Sequence, residues 1–301
     1  MEDAPPRDYA QAPAHYPVML RESLEYLAIR PDGVYVDVTA GLGGHTRAIA
    51  ERLESGLVIA CDRDAESLDL ARARTVEESK RIRFFCGPFS DLRLGLEEHG
   101  VELVDGVLAD LGASRYQLSN AERGFSLMAD GPLDMRMDRR RGVTAADLVN
   151  ELPEKALADL IYQLGEERRS RRISRAIVRA RPILTTGRLA EVIEKAVPRT
   201  GRLHPATQTF MALRLKVNGE MDELDELLRT APERIKPGGR FVVLTFMSIE
   251  DRKVKQAFQS LSRAKRAQIL TKHVVRPSEK EIEENAASRS AKLRAVELSW
   301  N

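Results

Sequence analysis

The residues best suited to chemistry sit early in the chain. A β-branched run, Tyr35-Val36-Asp37-Val38-Thr39, ends in Ala40-Gly41-Leu42-Gly43-Gly44-His45, and Asp62 follows 21 residues after Gly41. A glycine turn between a strand and a helix lets the backbone approach a ligand, and the helix N-terminus offers N–H donors. An acidic residue closing the next strand can accept hydrogen bonds from ribose hydroxyls. Turn and acid together point to a cofactor that contains a nucleoside. The spacing is not G-x-G-x-x-G, and the missing third glycine favours S-adenosylmethionine over a pyrophosphate dinucleotide. Asp110 ends another apolar run at the edge where open α/β sheets hold ligands, and Gly112-Ala113-Ser114 follows it. Phe89 is placed to touch an adenine ring. His45, directly after the glycines, shapes the cofactor pocket.

A second set of residues suits phosphate. Arg136, Arg139, Arg140 and Arg141 form one group; Arg168, Arg169, Arg171, Arg172, Arg175, Arg179 and Arg181 form another. The guanidinium fork donates in pairs to phosphate oxygens. Net charge is only +2 across 301 residues, so any nucleic-acid surface is a local patch. Cys61 and Cys86 both lie in apolar runs, which suits buried thiols in a reducing compartment. The histidines are scattered, and no metal site is expected. The longest apolar run, Phe241 to Met247, is too short to span a bilayer. Residues 1–14 carry Pro5, Pro6 and Pro13 with acidic residues and read as a mobile tail, not a targeting signal. A cytoplasmic protein is expected. The assembly state is left open, with a homodimer among the options.

The elements that position these residues alternate. A helical lead-in spans His15 to Ile29. Strands are expected at Tyr35–Val38, Leu57–Cys61, Ile82–Cys86 and Val104–Ala109, with a helix from Ala65 to Glu77. That rhythm implies a parallel sheet with crossover helices. No convincing strand occurs from Ala113 to Leu215. Arg115 to Arg141 is polar and loop-like. Helices are expected over Pro153–Leu164, Ser170–Arg181 and Arg188–Val197, and from His204 toward Leu228 with Gly219 as a weak point. The sheet resumes at Phe241–Phe246, followed by a helix at Glu250–Leu261. Two β-like runs, Ile269–Val275 and Leu293–Trp300, flank a charged helical segment at Ser278–Asn285. The organisation is therefore an α/β domain, 15–112 with 216–301, interrupted by an all-helical insertion at 113–215 that faces RNA.

Several segments carry a resemblance: His15-Tyr16-Pro17-Val18-Met19-Leu20, Gly41-Leu42-Gly43-Gly44-His45, Asp62-Arg63-Asp64, Gly87-Pro88-Phe89-Ser90 and Asp110-Leu111-Gly112. Others are Glu122-Arg123-Gly124-Phe125-Ser126, Asp130 to Asp138, His204-Pro205-Ala206-Thr207, Ser248-Ile249-Glu250-Asp251-Arg252 and Ser288 to Arg294. In this order the chain resembles the bacterial ribosomal RNA small subunit methyltransferase H family. The resemblance implies S-adenosylmethionine-dependent methylation of N4 of a cytidine in the decoding region of 16S rRNA. It also implies a class I (Rossmann-like) methyltransferase sheet with a helical substrate-recognition insertion. The cofactor residues it implies are Gly43, Gly44, His45, Asp62, Phe89, Asp110 and Gln117, with Asp110 the catalytic candidate. The substrate partner is 16S rRNA in the small subunit or its precursor, met by Arg115, Tyr116 and the arginines of the insertion. The chain departs from the family pattern at Ala113, Arg115 and Tyr116, at Met247 where a histidine is usual, and at Ala286-Ala287. Three other readings stay open from residues alone: a methyltransferase for another RNA or DNA, a non-catalytic assembly factor, and a nicotinamide oxidoreductase.

Overall fold

The computed structural model describes residues 17–199, 201 and 203–299. The expected tail, His15, Tyr16 and Trp300 lie outside them. The chain divides into two compact units, one ending at Gly112 and resuming at Glu223, the other Ala113–Asp222.

The first unit opens with α1 (Leu20–Leu27), β1 (Val34–Asp37), α2 (Gly44–Ala50), β2 (Leu57–Asp62), α3 (Ala65–Arg74), β3 (Ile82–Cys86), α4 (Leu92–Glu98) and β4 (Val104–Asp110). The second unit holds α5 (Arg115–Ser119), α6 (Ala145–Glu151), α7 (Glu154–Gly165), α8 (Ser170–Ala180), α9 (Thr186–Ala196) and α10 (Thr207–Asn218). The chain passes back to the first unit within α11 (Glu220–Thr230). It continues through β5 (Ile235–Thr245), α12 (Ser248–Arg263), β6 (Ala267–Ile269), α13 (Glu279–Glu284) and β7 (Lys292–Leu298).

The seven strands form one sheet in the order β3-β2-β1-β4-β5-β7-β6. The first five run parallel, and β7 is antiparallel to both β5 and β6. This is the class I, Rossmann-like arrangement. Buried parallel strands read as continuous apolar runs, and Val107, Leu108, Ala109 and Phe241 to Leu244 are all fully buried. Strand order reverses between β2-β1 and β1-β4, the switch point where such sheets open a ligand crevice. Asp37 is level with Ala60 of β2 and Leu108 of β4, so Asp62 and Asp110 project two residues farther along their strands. One core cluster joins Tyr35, Val58, Leu108, Val242 and Leu293 of the sheet to Leu24 and Leu27 of α1 and Ile49 of α2.

Three expectations need correction. The sixth strand is Ala267–Ile269, not Ile269–Val275: Val275 exchanges two hydrogen bonds with Leu293 as a single bridge, so its apolar run does not continue the ladder. Cys86 is exposed, because β3 is an edge strand and its last residue faces outward. The segment after Gly112 is not all loop. It contains α5, held by a capping box in which the Ser114 N–H donates to Gln117 Oε1 at 2.9 Å and the Gln117 N–H donates to Ser114 Oγ.

In the second unit, α6 to α10 bury one cluster that includes Leu157, Ile161, Ile173, Ile177, Leu189, Ile193, Phe210 and Leu213. Among its described residues the β structure is one isolated bridge, Pro132 to Thr185. Gly219, at φ 61°, caps α10 in the left-handed region and separates it from α11, as C-terminal glycines do.

Candidate functional site

Three carboxylates mark the carboxyl ends of adjacent parallel strands: Asp37 on β1, Asp62 on β2 and Asp110 on β4. Between the first two lies the glycine turn. Gly41 and Gly43 adopt φ of 51° and 83°, a region that costs other residues a Cβ clash. The turn spends its own donors. The Gly41 N–H donates to Asp62 Oδ2 at 2.8 Å, and the Gly43 N–H donates to the Ala40 carbonyl. A Cβ on Gly44 would lie 2.6 Å from Pro17 Cγ, and one on Gly43 would meet Thr75 and Ala71. Packing against Pro17 therefore favours glycine at position 44, and the left-handed backbone favours it at position 43.

Asp62 is half-buried and accepts two backbone donors, Gly41 on Oδ2 and Asp64 on Oδ1 at 2.9 Å. Each oxygen keeps a free lone pair, which a ribose hydroxyl can fill. Burial pushes its carboxyl up to about 6. The residue capping α3 is Asp64, not Asp62. After β3, Gly87 donates to the Asp62 carbonyl, and Phe89 opens a 3-10 turn. That turn is tethered when the Ser90 N–H donates to Glu223, whose other oxygen faces the Arg63 guanidinium.

Asp37 and Thr39 escaped the sequence reading as functional residues. Asp37 is fully buried and accepts from Thr46 Oγ1 at 2.7 Å and from the Thr39 N–H at 3.1 Å. Burial pushes it up to about 6. Thr39 Oγ1 in turn accepts the Asp110 N–H at 2.6 Å. The available signal was a carboxylate inside an apolar strand followed by two threonines. Asp110 is the most perturbed of the three, pushed up to about 8 by burial first and then by the charges of Asp37 and Glu250. Its Oδ1 is buried without a hydrogen-bond partner among the described residues, an acceptor placed for a donor that the unit itself does not supply. Glu250 is committed to the Phe246 and Met247 N–H groups at the start of α12. His45 is 5% exposed, with Nε2 3.2 Å from the Val18 carbonyl and Nδ1 3.7 Å from Asp110 Oδ2. Gly43, Gly44, His45, Asp62, Phe89 and Asp110 thus belong to the first unit. Gln117 belongs to the second, where its side chain closes the α5 capping box.

The arginines of the second unit divide in two. Asp134 takes a fork from Arg136, with Arg139 at 3.7 Å; Asp138 takes one from Arg140, with Arg141 at 3.1 Å. Arg123 is buried, donates to the Met137 carbonyl and lies 5.7 Å from the Tyr116 ring. Arg115 is exposed. On α8, Ile173 and Ile177 face the core while Arg171, Arg172, Arg175 and Arg179 form an exposed ridge, extended by Arg168. Arg175 faces Glu154 at 3.6 Å. Arg168, Arg171, Arg172 and Arg179 make no ion pair among the described residues. Nor, among those residues, is there a cluster of His, Cys, Asp and Glu that could hold a metal, or a helix long and apolar enough to cross a membrane.

Comparison with known proteins finds relatives along most of the chain. The ribosomal RNA small subunit methyltransferase H of Solibacter usitatus is 62% identical over 284 residues, covering 94% of this chain and 99% of that protein. The proteins of the same name from Acidobacterium capsulatum and Koribacter versatilis are each 47% identical, covering 94% of this chain and 98% and 93% of their own lengths. A family model matches residues 12–299, and on that match the chain belongs to the MraW methylase family.

Proposed function

We propose that this methyltransferase uses S-adenosylmethionine to methylate N4 of a cytidine in the decoding region of 16S rRNA. The observation that carries the reading is the strand-end arrangement. Asp62 is bound to the glycine turn, and Asp110 presents a buried oxygen with no partner among the described residues. The names of the relatives supply the RNA class, and the sequence resemblance supplies the base. The donor set fits the cofactor: lone pairs on Asp62 for ribose hydroxyls, an aromatic ring at Phe89 for a purine, and an acceptor at Asp110 for an amine or ammonium hydrogen.

When bound, S-adenosylmethionine supplies a methyl group already activated on a sulfonium. The protein's part is therefore positioning and proton management. Asp62 fixes the ribose. The cytosine amine is a weak nucleophile because its lone pair is delocalised into the ring. Asp110 would accept one of its hydrogens, which would localise that pair on the nitrogen and favour its attack on the activated methyl. The amine proton is then lost to the carboxylate and on to solvent. The exposed arginines of α8 hold RNA phosphates, and the target base is splayed from its strand to reach the site.

The test is methyl transfer from labelled cofactor to small subunits lacking the modification, followed by nucleoside mass spectrometry. One N4-methylcytidine in the decoding region is expected. Methyl incorporation elsewhere, or into naked DNA in preference, overturns the assignment.

A further inference from the structure

We propose that His45 and Asp110 hold a single proton between them, and that binding of the cationic cofactor expels it. This rests on the S-adenosylmethionine reading above. The argument begins at the ring. His45 is buried in the first turn of α2, and its Nε2 lies 3.2 Å from the Val18 carbonyl oxygen. A carbonyl oxygen only accepts, so this contact requires the hydrogen on Nε2. In the neutral ring Nδ1 is then a bare lone pair, and it lies 3.7 Å from Asp110 Oδ2. A lone pair facing an ionised carboxylate repels it; one proton, on either atom, converts the contact to attraction. At 3.7 Å the two atoms stand at ion-pair distance, just beyond hydrogen-bond reach.

The surroundings favour the protonated pair. From β1, Asp37 adds negative charge, and from α12 so does Glu250. The Thr39 hydroxyl is directed at the Asp110 backbone, not at its carboxylate. Asp110 Oδ1 has no donor of its own among the described residues. Among the described residues, His45 is thus the group placed to offset a charge on this carboxyl. Burial and the two neighbouring carboxylates raise Asp110 to about 8, in the direction the geometry requires.

The tautomer is fixed by an N-terminal strap, Pro17-Val18-Met19. Pro17 fills the space a Cβ at Gly44 would occupy. Met19 is fully buried in the left-handed region at φ 49°, and its N–H donates to Glu281 Oε1 of α13 at 2.6 Å. That backbone conformation is costly for a non-glycine residue, and the clamp at each end of the strap holds the Val18 carbonyl on the ring. The strap therefore decides which imidazole nitrogen faces Asp110.

S-adenosylmethionine carries a sulfonium and an ammonium against one carboxylate, so it is a net cation. Placing it against the pair favours the ionised carboxylate, and the proton leaves to solvent. Asp110 is then the anion the amine hydrogen needs. His45 is accordingly a positioning residue whose effect is read as proton linkage.

Calorimetric titration of the full chain with S-adenosylmethionine at pH 7, in two buffers of different ionisation enthalpy, reads that linkage. Release of about one proton per bound cofactor is expected. His45→Gln and Asp110→Asn should each bind with release reduced to near zero. Equal heats in both buffers for the unaltered protein overturn the proposal while leaving the cofactor reading intact. Absence of binding instead counts against the cofactor reading. The pair is also decided on the free protein by imidazole nitrogen shifts, assigned by difference with His45→Gln. A ring protonated at Nε2 whose Nδ1 signal titrates together with the Asp110 carboxyl supports it. A neutral ring protonated only at Nδ1 overturns it.

Discussion

At the scale of single residues, the site is built from carboxylates that the fold holds against their ionisation. Asp37, Asp62 and Asp110 are all raised, the first two to about 6 and the last to about 8. A raised carboxyl binds more protons folded than unfolded, so its contribution to stability is complete below its unfolded value. That contribution is lost as pH rises through the folded value. The protein should therefore lose stability between about pH 4 and pH 8, the reverse of the usual acid-side loss. Asp37 alone accounts for roughly 3 kcal/mol of that decline. Asp37→Asn should flatten the curve of unfolding free energy against pH between about pH 4 and pH 6, measured by urea denaturation across that range; an unchanged slope there would remove Asp37 as a source. Asp110→Asn tests the other end of the site. Turnover should fall by about a hundredfold or more, with weaker cofactor binding; unchanged values for both would end its assignment. Asp62 and Asp110 were legible because each closes an apolar run at a strand end. Asp37 was only partly legible: a carboxylate in an apolar strand with threonines after it is visible, but not that Thr46 comes back to bond it.

Elements show the same division between what pattern reveals and what pairing decides. The buried parallel strands were readable from β-branched runs, and α7 and α8 from their apolar periodicity. The capping box of α5 was hidden in a polar segment, since its helix is held by Ser114 and Gln117 and buries little. That box also shows Gln117 with a structural role, beside the cofactor role the resemblance implies. The strap Pro17–Met19 was visible only as part of a motif. Its function emerges from Gly44, where an added Cβ would meet Pro17 at 2.6 Å. Overpacking of this kind costs roughly 1–3 kcal/mol. Gly44→Ala should lower Tm and loosen the strap, seen as faster amide exchange at Met19 and a changed His45 tautomer ratio. A Tm drop with the His45 signals unmoved would separate the strap from the ring. Glu281→Gln is the gentler companion, because the amide oxygen can still accept from Met19; its His45 signals should stay close to those of the unaltered protein.

At the scale of the whole molecule, a chain with net charge +2 must concentrate any affinity for RNA in a patch. The two arginine groups looked equivalent in sequence, yet they differ in what surrounds them. Arg136 and Arg140 are held as forks on Asp134 and Asp138, so their charge is largely offset locally and they order the loop that carries them. The α8 ridge has its apolar face buried through Ile173 and Ile177, leaving Arg171, Arg172 and Arg179 exposed with no ion pair among the described residues. Each such guanidinium is free to displace counterions from a phosphate. Losing one phosphate contact reduces the slope of log affinity against log salt by about 0.7 to 0.9, and weakens binding without regard to sequence. Arg171→Ala with Arg172→Ala should therefore lower affinity for small-subunit RNA by about tenfold or more at 0.1 M salt and flatten the salt dependence. Cofactor affinity should be unchanged, because both substitutions lie on a solvent-facing ridge of the second unit. Arg140→Ala is the contrast: it should destabilise its loop, with a smaller change in salt slope. If the two α8 substitutions leave the slope where it was, the RNA path runs elsewhere, and the ridge is a solvated helix face.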